Sequence, residues 1–303
     1  MKRILILILC ILMICALTQT AGCFASASTD HMADGRPPIQ ILTDRESLPA
    51  LCREDLLEIH FLNVGAADCI LLRMGNSAVL IDGGRSATAA EAVSYLKEIG
   101  VETLDCVFAT HPHDDHIGGL PGILSEIPAG ALYQAGFYED YQSQARWNLQ
   151  AALDELHIMD SVIPTEWSMR LGEAELTFYQ WQNPEAAQND RSVAIKVKYG
   201  ERSALLAADL ENSGQKAVAA QYGEALRADI LKMPHHGIGT YQLPFHEAVQ
   251  PLFGVVTNSK NGAQGMIDRM TRNGMQWMVT TRGTVVAVTD GNVWSVWQVT
   301  ERK

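Results

Sequence analysis

Between Phe108 and Gly119 the chain reads FATHPHDDHIGG: three histidines and two aspartates within six consecutive residues, closed by a glycine pair. Few features restrict a fold so tightly, because a chain that gathers these side chains must bring them to one point and supply something to sit between them. A solvated charged run would mix in lysine or glutamate, and this one holds neither. The apolar run LDCVFAT (104–110) ahead of it predicts a buried strand. His111 and His113, on either side of Pro112, therefore leave the strand end able to turn toward one point. Asp115 and His116 follow, and Gly118-Gly119 predict a tight entry into a helix. Imidazole and carboxylate donors without a thiolate suit zinc, manganese or iron, not copper(I) or an iron–sulfur cluster. Two donor pairs aimed at neighbouring points predict two divalent ions about 3.5–4 Å apart.

The rest of the chain has the pattern of a layered fold. LEIHFLNV (57–64), CILLRM (69–74) and SAVLID (77–82) are short β-rich runs that predict a meander. ATAAEAVSYLKEIG (87–100), ending on Gly100, and DYQSQARWNLQAALDELHI (140–158) predict helices. The second half repeats the style. AELTFYQW, SVAIKVKY, SALLAAD, ADILKMP, FGVVTN, WMVTT, TVVAVT and VWSVW read as strands, with helices at NSGQKAVAAQYG and near 264–273. Strands in runs with helices inserted predict an α/β sandwich rather than a singly alternating barrel.

HPHDDH fits the HxHxDH motif of the metallo-β-lactamase fold superfamily. FLNVGAADCILLRMGNSAVLIDGG (61–84) resembles the opening of the branch that contains the hydrolase domain of the DNA-uptake protein ComEC. NDRSVAIKVKYGERSALLAADLE (189–211) and ADILKMPHHG (228–237) are similar to later blocks of that branch. The resemblance covers roughly residues 57–290. It implies an αββα sandwich of two mixed β-sheets flanked by helices, with two divalent metal ions, zinc first and manganese or iron compatible. It implies His111, His113, Asp115, His116, Asp209 and one of His235 and His236 as ligands, His236 favoured because related members place the ligand directly before glycine. Asp209 matches the carboxylate shared by both ions, so that Asp115 and Asp209 are the catalytic carboxylates. Asp82 matches an aspartate that orients ligand histidines, and Asp68 a carboxylate at the active-site edge.

The departures from the pattern bear on substrate. Most superfamily members place a further histidine between the HxHxDH loop and the shared aspartate; here that interval holds only His157, whose place at a helix end suggests a structural role. The ComEC-like branch that the chain resembles lacks that ligand too, with an NxxS block nearby, here Asn189 to Ser192. The first ion is then completed by water, by substrate, or by Asn189 or Asp190. Asn63 stands where the branch carries aspartate, GAAD replaces GQGD, Ile238 follows HHG in place of serine, and NGAQGM (261–266) lacks the branch's histidine. His60, His157 and His246 sit outside the motifs, and Trp294 and Trp297 read as sheet packing rather than a base-stacking platform.

The chain opens on MKRILILILCILMICALTQTAGCFASAS, with Lys2 and Arg3 ahead of 14 apolar residues from Ile4 to Leu17. That run is too short for a membrane span and has the form of a secretory leader. ASA (25–27) predicts cleavage after Ala27 and a secreted or cell-surface protein; a lipid anchor on Cys23, in TAGC, is the alternative. The expected division is a leader at 1–27, a polar linker at 28–55 and a hydrolase domain at 56–303. Cys69 and Cys106 read as buried apolar residues, and Cys52 as a thiol that an oxidising compartment could pair. Loss of Lys2 and Arg3 with the leader takes the net charge from −12 to −14. Such a surface excludes broad nucleic-acid binding, which needs clustered lysine and arginine, and no run forms a transmembrane channel. The function expected is an exported hydrolase using a hydroxide held between two ions, with a phosphodiester or another small molecule as partner. A lactone, ester or lactam hydrolase, or a metal-binding surface protein that turns nothing over, stands second.

Overall fold

The computed structural model describes residues 35–43, 49–136 and 141–299. The leader, the Ala27 cleavage site and Cys23 lie outside the described residues. Strands β1 to β7 are Gln40–Ile41, Leu57–Phe61, Ile70–Met74, Ser77–Ile81, Cys106–Ala109, Leu132–Gln134 and Asp160–Val162. Strands β8 to β14 are Ser168–Leu171, Ala174–Tyr179, Ala194–Tyr199, Arg202–Leu206, Ile230–Lys232, Phe253–Val256 and Gln276–Val279. Thr284–Thr289 and Trp294–Val299 form β15 and β16.

One sheet has the order β1-β16-β15-β2-β3-β4-β5-β6-β7 and the other β14-β13-β12-β11-β10-β9-β8. Each is mixed. β2, β3 and β4 pair antiparallel and β4 to β7 parallel; β8 to β11 pair antiparallel and β11 to β14 parallel. The largest core cluster joins the inner faces: Ile59, Leu72, Val79 and Phe108 from the first sheet meet Leu176, Ile195, Leu206 and Phe253 from the second. Helices cover the outer faces. Ala92 and Leu96 of α1 (Ala89–Glu98), Ile123 of α3 (Leu120–Glu126, after the single turn α2, Asp114–Ile117) and Leu149 of α4 (Gln144–Leu156) pack on the first sheet's side. Val218 of α5 (Asn212–Tyr222), Phe245 of α6 (Leu243–Val249) and Met270 of α7 (Gln264–Arg272) pack on the second's. Strands buried on both faces carry continuous apolar runs instead of alternation, as CVFA in β5 and FGVV in β13 do. The arrangement is the expected αββα sandwich.

Two details differ from the sequence reading. Within the segment read as a linker, Gln40–Ile41 pairs with β16 and Arg36 donates to Asp229 Oδ1 and to the Gln250 carbonyl, so this part is docked on the domain. The glycine pair after the histidines is required by contact, not by conformation: Gly118 and Gly119 have ordinary helical φ of −61° and −82°. A Cβ on Gly119 would lie 2.0 Å from the Gly83 carbonyl oxygen. Gly83 N–H donates to the His116 carbonyl and Gly119 N–H to that of Gly84, so the DGG and HIGG segments interlock backbone to backbone.

Cys52, Cys69 and Cys106 are free thiols, the last two buried, and burial pushes Cys106 up to about 12. No helix among the described residues is long and apolar enough to cross a membrane.

Candidate metal centre

In open α/β sheets, ligands collect at the carboxyl ends of parallel strands, and both sheets here deliver their polar residues at that edge. Asp82 follows β4, His111 to His116 follow β5, Asp209 follows β11, and His235-His236 follow β12. Asp68 precedes β3, whose antiparallel run brings it to the same edge. Its carbonyl accepts from Gly84 N–H, and its own N–H donates to the Asp115 carbonyl. His235 and His236 both adopt left-handed backbone, with φ of 46° and 51°. Such a conformation costs a non-glycine residue about 1–2 kcal/mol, and strain of this kind gathers at functional sites.

One carboxylate oxygen is the hub. Asp209 Oδ2 lies 3.2 Å from His116 Nε2, 3.3 Å from His236 Nε2, and 3.7 Å from both His111 Nε2 and His235 Nε2. His116 Nε2 and His236 Nε2 are 3.3 Å apart. A tetrahedral ion with bonds of about 2.0–2.1 Å holds its donors about 3.4 Å apart, so the His116, His236 and Asp209 atoms already have the spacing an ion requires. Donor atoms of Asp68, His116, Asp209 and His236 all fall within 4.8 Å of one another. Asp115 Oδ2 is 3.6 Å from His236 Nε2. Beside His116, with ring centres 4.0 Å apart, His111 has a buried Nε2 with no hydrogen-bond partner, and the His113 ring centre is 4.8 Å from that of His111. A buried imidazole nitrogen without a partner is a costly arrangement in a protein by itself. A divalent ion removes that cost. The residues fit the group.

Supporting contacts fix the rings. Asp82 accepts from Thr110 N–H at 2.8 Å, from Thr110 Oγ1 at 2.7 Å and from His116 Nδ1 at 2.7 Å, which leaves His116 Nε2 facing the hub. His236 Nδ1 meets Thr257 Oγ1 at 2.9 Å. Such outer partners set tautomer and orientation. Lys232 is fully buried; its Nζ pairs with Asp68 Oδ2, donates to the Ala208 carbonyl and stands 3.5 Å from Asp209 Oδ1.

The electrostatics follow from this packing. Burial opposes charge on His116, but Asp209 and Asp82 outweigh it and raise the imidazole to about 10. His236 is likewise raised, against burial, by Asp209 and Asp68. Burial would raise Asp68, yet the Lys232 ammonium and His236 hold it well below the carboxylate range. Asp209 is held low by His116 and His236 against the same penalty. His111 goes the other way: burial and the neighbouring His116 push it well below its ordinary value. Cationic groups concentrate on the His116–His236 side, in the place a metal charge takes.

The structure thus brings together His111, His113, Asp115, His116, Asp209 and His236, with Asp82 behind His116. The favoured His236, rather than His235, lies in the tight cluster; His235 stands at its edge with a side chain 25% exposed and its Nδ1 3.0 Å from Glu211 Oε1. Asn189 lies beside His113; its Nδ2 donates to Glu211 Oε1 and its Oδ1 is buried without a hydrogen-bond partner. Two expectations shift. Asp68 is no rim residue but is 1% exposed among the ligands. Asp190 accepts from the N–H groups of Glu211 and Gly214, capping the start of α5, so its partners are backbone rather than histidine. His157, with φ of 56°, is the left-handed cap ending α4. Sequence reasoning missed Lys232, Thr257 and Glu211. A lysine inside the apolar run ADILKMP was a usable signal, since a buried ammonium requires a carboxylate; Thr257 and Glu211 carried none.

Fold and donor set together define a metallo-β-lactamase-fold hydrolase with residues able to hold divalent metal. The chain belongs to the metallo-beta-lactamase superfamily, whose family model matches residues 62–239. It is 25% identical over 243 residues to the competence protein ComA of Neisseria gonorrhoeae, an alignment covering 77% of this chain and 32% of that protein. The chain therefore spans about a third of that relative's length. A hydroxyacylglutathione hydrolase of Tolumonas auensis is 35% identical over 63 residues, 21% of this chain and 23% of that one. Among solved structures, the metallo-beta-lactamase fold protein YhfI of Bacillus subtilis is 12% identical with a TM-score of 0.49, covering 74% of this chain and 95% of that one.

Proposed function

We propose that this chain is an exported hydrolase that holds two divalent ions around Asp209 and cleaves a phosphodiester. The observation that carries the reading is the single Asp209 oxygen that several histidines converge on, with His111 Nε2 buried and without a hydrogen bond. His111 and His113 would hold one ion, and Asp115, His116 and His236, with Asp68 in reach, the other. Bound ions of this kind supply a nucleophile from water at neutral pH and offset charge on the attacked centre. The chain's part is orientation: Asp82 and Thr257 lock the His116 and His236 rings, and Lys232 keeps Asp68 and Asp209 ionised. Arg85, half-exposed, bonds Asp114 and Asp115 at 3.1 and 3.0 Å. Exposed pairs of this type are worth little, so the guanidinium can turn to a phosphoryl oxygen at small cost. Export rests on the apolar leader and the ASA site.

Ester or thioester hydrolysis is a second reading, favoured by the stretch shared with the hydroxyacylglutathione hydrolase. A panel on zinc- or manganese-loaded protein decides: an aryl phosphodiester, a thioester, a lactone, a β-lactam and single-stranded DNA. The aryl diester is the expected substrate, and DNA a poor one, because the net charge of −14 left after loss of Lys2 and Arg3 repels phosphate chains at low salt. Turnover of the thioester, lactone or lactam alone rejects the phosphodiesterase assignment.

A further inference from the structure

We infer that His235 is a metal ligand as well as His236: the adjacent histidines serve different ions, and His235, braced by Glu211, completes the one held by His111 and His113. This rests on the two-ion reading above. That ion has three protein donors, counting Asp209; between the HxHxDH loop and Asp209 the one histidine is His157, which caps α4, and Asn189 gives its Nδ2 to Glu211. A zinc ion of this type wants four donors, of which a catalytic site leaves one to water or substrate. His235 Nε2 stands 3.7 Å from Asp209 Oδ2, the same distance as His111 Nε2.

Glu211 Oε1 lies 3.0 Å from His235 Nδ1 and also accepts from Asn189 Nδ2 at 2.8 Å. A carboxylate on Nδ1 fixes the tautomer that leaves Nε2 as a donor toward metal, the usual arrangement behind a ligating histidine. Asp82 does this for His116. The consecutive left-handed residues explain how one loop can serve both ions. They present His236 Nε2 and His235 Nε2 to the same Asp209 oxygen from ring centres 6.0 Å apart. His235 N–H donates to the Ala208 carbonyl, which ties the loop to the strand end carrying Asp209.

The test titrates metal-free full-length protein with zinc and with cobalt(II), reading ions bound per chain and the cobalt absorption spectrum. Wild type should bind about two. His235→Gly suits the left-handed backbone and so removes the ring without straining the loop; it should weaken one site at least about 10-fold and change its cobalt band. Glu211→Gln should weaken that site by about 10–100-fold, the range for an outer partner. His236→Ala should spare it and lose the other. Two ions with unchanged affinity and spectrum in both His235→Gly and Glu211→Gln would overturn the inference while leaving the two-ion reading intact. A wild type that binds none would overturn that reading itself.

Discussion

Two of the buried charge clusters among the described residues are built on opposite principles. Glu58, His60 and Arg73, on neighbouring strands β2 and β3, form the first with Tyr95 of α1. Glu58 accepts from Cys52 N–H at 2.6 Å and from Arg73 Nε and Nη2 at 2.9 and 2.6 Å. Arg73 Nη1 donates to the Ile99 carbonyl, and His60 joins Glu58 Oε2 to the Tyr95 hydroxyl at 3.1 and 2.8 Å. Its charged atoms are matched from within. The second cluster, around Asp209, has more charge and poorer closure: His111 Nε2 is buried without a hydrogen bond, and Asp68 Oδ1 and Asp209 Oδ1 have only ion-pair neighbours, His236 Nδ1 at 3.2 Å and Lys232 Nζ at 3.5 Å. Buried polar groups are almost always satisfied, so the first cluster reads as architecture and the second as a place for something the chain does not itself contain.

The largest effect should come from the hub. Asp209→Ala should lose both ions and lower metal-dependent turnover by more than about 100-fold, beyond the range for an outer partner; metal analysis and kinetics on the same sample check it. In the other cluster, Arg73→Met strands the Glu58 carboxylate. Breaking a buried pair costs about 3–5 kcal/mol, so denaturant unfolding should show a loss of that size with metal content unchanged. If Arg73→Met instead strips metal, the two clusters are coupled and the contrast fails. Asp82→Asn, which leaves every ligand in place, should reduce metal affinity by about 10–100-fold, measured by competition with a chelator.

The clusters should also differ in pH dependence, the alkaline loss belonging to the metal centre alone. In metal-free protein His116 is raised to about 10 from an ordinary 6.5. The stability it contributes is full below about 6.5 and is lost as pH rises through about 10. Burial instead lowers His60 in the first cluster and His111 in the second, so their unfolded forms take up the proton first and stability falls as pH drops below 6.5. Melting curves between pH 5 and pH 10.5 should show both losses, and zinc loading should remove only the alkaline one. The smallest effect is at His157: glycine suits its left-handed cap, so His157→Gly should stabilise by about 0.5–1 kcal/mol, with metal binding untouched.

Much of this was legible in the sequence. The strands and their grouping followed from β-rich runs broken by turns, and the HPHDDH, LIDGG, AAD and HHG segments marked the strand ends where the site forms. Short elements such as Leu132–Gln134, Ser168–Leu171 and Leu243–Val249 were not legible, because three to seven residues carry too little periodicity to stand out. Distant pairings were hidden for a different reason. Lys232 with Asp68, His235 with Glu211 and the contact of Gly119 with Gly83 depend on how the sheets meet, and local sequence holds no trace of that register.

The most direct test is anomalous diffraction from crystals grown with zinc. Two peaks about 3.5–4 Å apart should flank Asp209 Oδ2, one beside His111 and His113 and the other beside His116 and His236. An absence of anomalous density at Asp209 in zinc-saturated crystals would contradict the account.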